Sequence, residues 1–266
     1  MVERQRYSNA PVVLVAAEAR HPDAPLLSPG EQGEVKRLLA SNFPLPQPLQ
    51  NTRLRAAVGA PPTVEHEIVP RFATRDQTTA VTFGAQAVSV ETTKYETFEH
   101  LSELVRISIE ARQKVAPVDG LMRLGLRYVN EIRVPDICNG VIGWREWINA
   151  SLLGAAQVGT SLGLTAEQWQ GATVFNRGDG RQVAVQYGSR EGFAVMPGGP
   201  LQRSTPPPGP FFLLDIDSFW AATVEVPEFT VETVMNLCVD LHEPISGLFE
   251  GLITERLREE VLRNVR

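Results

Sequence analysis

Alternation of apolar and polar residues is clearest near the middle of the chain, over Leu121 to Pro135 (LMRLGLRYVNEIRVP). In an extended backbone Leu124, Leu126, Tyr128, Asn130 and Ile132 point one way, and Arg123, Gly125, Arg127, Val129, Glu131 and Arg133 the other. The pattern predicts a strand with one core face and one largely charged face.

Upstream, the apolar run from Pro11 within Tyr7 to Arg20 predicts a first strand that breaks at His21-Pro22. Ser28-Pro29-Gly30-Glu31 places a capping serine, an N1 proline and an N3 glutamate in register, so a helix should run to about Asn42. Phe43 to Pro62 holds five prolines (Pro44, Pro46, Pro48, Pro61, Pro62) and reads as a connection. Strands follow over Val64 to Ala73, Ala80 to Phe83 and Gln86 to Tyr95, where Ala87, Ser89, Glu91 and Thr93 alternate with Val88, Val90 and Thr92. Thr97 then opens a helix to about Lys114, with Phe98, Leu101, Val105 and Ile109 at spacings of three and four.

Downstream, Trp144 to Gly154 predicts a short helix, and Thr165-Ala166-Glu167-Gln168 offers a second capping box. Ala172 to Asn176 and Gln182 to Tyr187, joined by Arg177-Gly178-Asp179-Gly180, read as a hairpin, with a further short strand at Phe193 to Met196. PGGPLQRSTPPPGP (Pro197 to Pro210) is too proline-rich for a ladder and predicts a mobile loop before a strong strand at Phe211 to Ala221. From Thr230, Val231, Val234, Cys238, Leu241, Ile245, Leu248 and Leu252 trace one helical stripe. The expectation is a helix of more than thirty residues, kinked at Pro244, whose distal part either wraps the sheet or projects outward.

Two halves, 1–118 and 119–266, share the order strand, helix, run of strands, long helix. The fold class expected is α+β: two pseudo-repeated halves, packed as one unit, forming a curved antiparallel sheet covered by long helices. A saddle like that of the TATA-binding protein is one such shape, a comparison of form and not of function.

Composition adds limits. Hydrophobic residues at 43% and charged residues at 21% are ordinary for a globular chain, and no apolar run reaches a membrane span. The N-terminal run is interrupted by Glu18 and Arg20, unlike a secretory segment, which favours a cytoplasmic setting. A net charge of −6 argues against a nucleic-acid backbone as the main partner. Cys138 and Cys238 stand far apart in no CxxC spacing, so buried free thiols are expected rather than a disulfide or a zinc knuckle.

The early Pro-Val-Val strand, Glu91-Thr-Thr-Lys-Tyr95 with Phe98, Arg123-Leu-Gly-Leu-Arg-Tyr-Val-Asn130, Leu214-Asp-Ile-Asp217, and Leu241-His242 followed by Phe249-Glu250 and Ile253-Thr254 span nearly the whole chain. In these motifs the sequence resembles a sporadically distributed family of uncharacterised bacterial proteins. Its first strand departs by being less hydrophobic and less acidic. The resemblance implies a prokaryotic, intracellular, single-chain protein, with an association to defence or mobile-element operons, and brings no activity.

Catalytic patterns are few. Gly159-Thr160-Ser161-Leu162-Gly163 matches GxSxG but follows a helical segment, where the nucleophile elbow needs a strand. Asp215 and Asp217 share one strand face and could chelate a cation, but pairing with Arg123 or Arg127 of the central strand explains them better. His242-Glu243 lacks a second histidine four residues away, and in Glu65-His66-Glu67 alternation sets His66 opposite the two glutamates. No GxxxxGK or GxGxxG occurs. No cofactor or metal is expected.

The first functional expectation is therefore a non-enzymatic binding or interaction protein, its partner a protein encoded nearby, with no membrane role and self-association left open. Leu248, Leu252, Arg256 and Glu259 on the last helix are the candidate partner contacts. The alternative is an enzyme acting on a small polar or anionic substrate, with Arg123, Arg127, Tyr128, Asn130, Asp215 and Asp217 as candidate ligand contacts. A nucleic-acid binder ranks third.

Overall fold

The computed structural model describes residues 7–55, 63–135, 141–166 and 169–264. Its elements in chain order are β1 (Val12–Arg20), α1 (Pro29–Leu38), β2 (Leu45–Pro46), β3 (Leu49–Arg55), β4 (Thr63–Val69), β5 (Arg71–Ala73), β6 (Thr79–Phe83), β7 (Ala87–Thr92), α2 (Phe98–Val115) and β8 (Arg123–Ile132). There follow α3 (Val141–Trp144), α4 (Gly154–Ser161), β9 (Gln170–Gly178), β10 (Arg181–Gly192), β11 (Gly209–Ala221), α5 (Val231–Leu252) and α6 (Glu255–Leu257). Thr165-Ala166-Glu167-Gln168 and Cys138 fall wholly or partly outside the described residues.

Local chemistry sets the helix starts. The Ser28 side chain accepts from the Glu31 amide while the Glu31 carboxylate accepts from the Ser28 amide at 2.7 Å, a closed capping box of the kind that contributes about 1 kcal/mol. Thr97 and Thr230 cap α2 and α5 through their hydroxyls alone, accepting from the His100 and Thr233 amides. Between β9 and β10, Asp179 (φ 49°) and Gly180 (φ 77°) form a two-residue turn with both residues left-handed, whose twist matches the strands it joins.

Nine strands make one antiparallel sheet in the order β2-β5-β6-β7-β1-β8-β11-β10-β9, and β3 pairs with β4 as a separate ribbon. The fold is α+β, and neither sheet is closed or strongly curled. The first strand and the central strand lie side by side, with Ala17 opposite Leu126 and Ala16 opposite Arg127. The register thus sorts the side chains into two faces. Val15, Ala17, Ala19, Val88, Val90, Leu124, Leu126, Leu214 and Ile216 lie beneath α2 and α5, within one core cluster that runs from the first strand to Leu262. The opposite face carries Glu18, Glu91, Arg123, Arg127, Asp215 and Asp217, placed there by the two-residue period.

Several expectations change. The other face of β8 is less open than its charges suggest, since Gly125, Val129 and Glu131 are buried. Residues 193–208 cause part of this, because they form a strap docked on that face and not a loose loop. The Gln202 amide donates to Gln77 O at 2.8 Å, Thr93 Oγ1 to Gln202 O at 2.5 Å, and Gln47 Nε2 to Pro200 O at 2.8 Å. Phe193 to Met196 belongs to this strap and adds no strand. The proline-rich connection contains β2, with Pro46 inside it, and β3, since proline's fixed φ suits extended backbone.

The last helix has 22 residues, shorter than its stripe predicts, and α5 continues through Pro244 to Leu252. Its end is made by the segment expected to be a helix over Trp144 to Gly154. That segment is instead a 3-10 turn (Ala150–Leu152) flanked by α3 and α4. Asn149 donates from its backbone to Leu252 O at 3.0 Å and from its side chain to Gly251 O at 3.1 Å, Ile253 turns extended, and Ile148 bridges to it. Carbonyls that a longer helix would bond internally are satisfied from outside. Among the described residues, no helix is long and apolar enough to cross a membrane.

Candidate functional site

The arginines and aspartates of β8 and β11 are brought together by register, which sets Arg127 opposite Asp217 and Val129 opposite Asp215. Arg127 reaches diagonally to Asp215, with Nε donating to Oδ1 at 2.9 Å and Nη2 to Oδ2 at 2.6 Å. This is the two-pronged match of guanidinium to carboxylate, stronger and more directional than a single contact. The Asp215 bonds to Arg127 raise the arginine's pKa above its ordinary value.

Arg123 is held from three sides. Its Nη2 donates to Asp217 Oδ2 at 3.1 Å, its Nη1 lies 3.7 Å from Glu18 Oε1 on β1, and its guanidinium covers the Phe219 ring at 4.6 Å. Glycine at 125 permits this, because a Cβ there would stand 2.7 Å from Arg123 Nη1. Asp217 is the electrostatically uneasy member. Burial raises its pKa, against the lowering pull of Arg123 and Arg127, with Asp215 adding to the rise. Chemically the group is a ladder of matched ion pairs across three strands, with each guanidinium already facing a carboxylate.

Tyr128 and Asn130 do not join it. Strand alternation sends both to the helix side, where Tyr128 Oη lies 3.2 Å from His242 Nδ1 and Asn130 Nδ2 donates to Leu214 O at 2.9 Å. His242 itself stacks on Phe98 with ring centroids 3.9 Å apart, a packing role consistent with its lack of ligand spacing. Gly159 to Ser161 end α4, and Ser161 Oγ donates to Val158 O at 2.7 Å, away from any strand-to-helix elbow.

Of the four C-terminal candidates two pack on the core and two stay exposed. Leu248 and Leu252 pack partly buried against the core. Arg256 lies over the Trp147 ring at 4.4 Å and pairs with Glu146 and Glu260, while Glu259 pairs with Arg263.

Two features escaped the sequence reading. One is a second set of buried charges under the strap: Glu131 accepts from Arg133 Nε at 2.9 Å and from the Ala194 amide at 2.7 Å, with Arg203 close by and Arg71 on β5 nearer Glu91. Only Glu131 and Arg133 are close in sequence; Ala194, Arg203, Arg71 and Glu91 come from strands and loops far apart in the chain, so no local spacing announces that they meet. The other is the sheet's outer edge. β9 ends the strand order, and Val174 and Phe175 on its opposite faces are 61% and 44% exposed. Alternation finds the strand but not its place at an edge. No protein-family model and no curated protein matches this chain, so these arrangements are read from their geometry alone.

Proposed function

We propose that the protein is a non-enzymatic binding protein that engages an extended segment of a protein encoded nearby by adding it to the free edge of β9. One observation carries this reading: a nine-residue terminal strand with exposed apolar side chains on both faces. Edge strands of monomeric proteins are commonly blunted by charge, proline or brevity, and an edge lacking these devices accepts a further strand through its unpaired amides and carbonyls. Arg177, the charged residue near its end, is drawn off the edge toward Asp240 and Glu243 of α5. Saturation of Arg123 and Arg127 by aspartates favours binding over a catalytic role for that ladder. The order β5-β6-β7-β1 on one side and β9-β10-β11-β8 on the other supports reading the chain as an internal duplication about the β1–β8 pair, with a saddle as its limiting form.

Affinity purification from the native host followed by native mass spectrometry tests the proposal with two baits, the wild-type chain and Val174→Lys/Phe175→Lys. A stoichiometric protein captured by the first and lost from the second is expected. A partner held equally by both, or recovery of the wild-type chain alone, overturns it. A homo-oligomer dissolved by the double substitution would reassign the edge to self-pairing.

A further inference from the structure

The helices α2 and α5 lie side by side and antiparallel on the sheet. Phe98, which opens α2, stacks on His242 in the second half of α5, and Gln113 near the end of α2 donates to Phe229 O just before α5 begins. Between the two helices lies a groove of about 420 Å³, with Phe98, Met235 and Val239 as its apolar surface and Glu99, Glu103 and Arg106 on its rim. These groups face solvent: Val239 is 59% exposed, and the side chains of Glu103 and Arg106 are 52% and 37% exposed.

The rim is acidic. Arg106 donates to both Glu103 and Glu110, so over the first turns of α2 three exposed carboxylates, Glu99, Glu103 and Glu110, share one guanidinium. Across the groove, α5 has no lysine or arginine anywhere between Val231 and Leu252. Its Asp240 and Glu243 are answered by Arg177 and Arg181 of the β9–β10 hairpin, which leaves Glu232 and the α2 rim to set the sign of the charge. Both walls are helices whose amides and carbonyls bond internally, so an occupant is held by side chains and cannot join as a strand. A third helix meets that condition, since residues at i, i+3, i+4 and i+7 of one helix fill the groove between two others. Met235 suits such a contact, as its unbranched thioether adapts to the shape laid on it.

We propose that this groove receives a basic amphipathic helix of a partner protein, its apolar stripe on Phe98, Met235 and Val239 and its lysines or arginines facing Glu99, Glu103 and Glu232. A second copy of this chain presenting the same face is disfavoured, because it would set carboxylates against carboxylates. The groove shares no residue with the β9 edge, so the two docking readings stand or fall separately.

The full chain is titrated, by fluorescence anisotropy, into a labelled helical peptide of about 18 residues, the length of α2, with leucine along one face and lysine elsewhere. Two control peptides keep the length: one scrambles the leucine stripe at the same composition, and one replaces lysine by glutamate. The expected result is saturable binding of the first peptide, tighter than either control by about tenfold or more. Met235→Gln/Val239→Gln, which removes apolar surface at constant charge, and Glu99→Gln/Glu103→Gln, which removes charge, should each weaken it by about tenfold. Equal binding of the scrambled peptide would reduce the effect to general charge attraction and overturn the proposal, as would equal binding by the variants. A dimer of the chain alone that Met235→Gln/Val239→Gln dissolves would assign the groove to self-association and overturn it too. Should a variant fail to fold, the methionine methyl resonances of the wild-type chain decide. A Met235 methyl shifted by the first peptide, with Met122 and Met196 unmoved, supports the groove, and a Met235 that moves no more than those two overturns it.

Discussion

Arg127 and Asp215 share one ion pair but not one environment, for the arginine side chain is 53% exposed and the carboxylate it holds is 5% exposed. The pair is therefore asymmetric in what each partner would lose. Arg127→Ala strands a buried carboxylate beside Asp217, and should lower the unfolding free energy by about 2–3 kcal/mol. Asp215→Ala leaves a guanidinium that can turn into water and should cost about 1 kcal/mol or less. Urea unfolding of the two variants checks the order. Equal losses would show that the carboxylate is hydrated in solution.

The ladder was half legible in the sequence. Alternation alone puts Arg123 and Arg127 on one face, and Asp215 and Asp217 on one face of their own strand. What alternation cannot supply is that β8 and β11 are neighbours, or that the diagonal Arg127–Asp215 contact is preferred over the directly opposed Asp217. The capped helices were legible because caps are local chemistry, as Ser28 and Thr97 show. The end of α5 was not, since no glycine or proline stops it at Leu252. The stop comes from Asn149 and Ile148, a hundred residues away in the chain. Arg71 and Arg203 were invisible for the same reason, as a buried arginine looks like an exposed one until its surroundings are folded.

The hairpin turn gives a sharper backbone test. Gly180 sits at φ 77°, and a Cβ built there would stand 2.1 Å from Ala221 O, which accepts no such approach. The contact is with backbone, so no side-chain rotation relieves it. Gly180→Ala should destabilise by more than about 1 kcal/mol, whereas Gly199→Ala, where the nearest atom to a new Cβ is 3.8 Å away, should change stability little. Thermal unfolding of both variants reads the difference. A neutral Gly180→Ala would mean that the turn and the end of β11 separate readily.

His21 sets a pH dependence whose sign follows from its surroundings. It is 3% exposed, meets Phe229 edge-on at 5.6 Å, and its Nδ1 lies 2.7 Å from Pro22 O, which requires the hydrogen on Nδ1. The remaining nitrogen, Nε2, is buried and has no partner among the described residues. A second proton would thus create an unpaired buried charge. Desolvation lowers the pKa below 6.5, and although the Pro22 carbonyl and Asp23 pull upward, Arg112 adds to the fall. The unfolded chain then binds the proton more readily than the folded one, so stability is full above 6.5 and is lost as pH falls toward the depressed folded value. The limiting slope is about 1.4 kcal/mol per pH unit for one proton. Asp217, with its raised pKa, works in the opposite sense, losing stability as pH rises, and cannot imitate this loss. Denaturant unfolding between about pH 7 and about pH 5 should show stability declining in wild type and a flatter profile in His21→Gln. Identical slopes in the two proteins would place the imidazole in contact with water and remove the buried neutral histidine from the account of the fold.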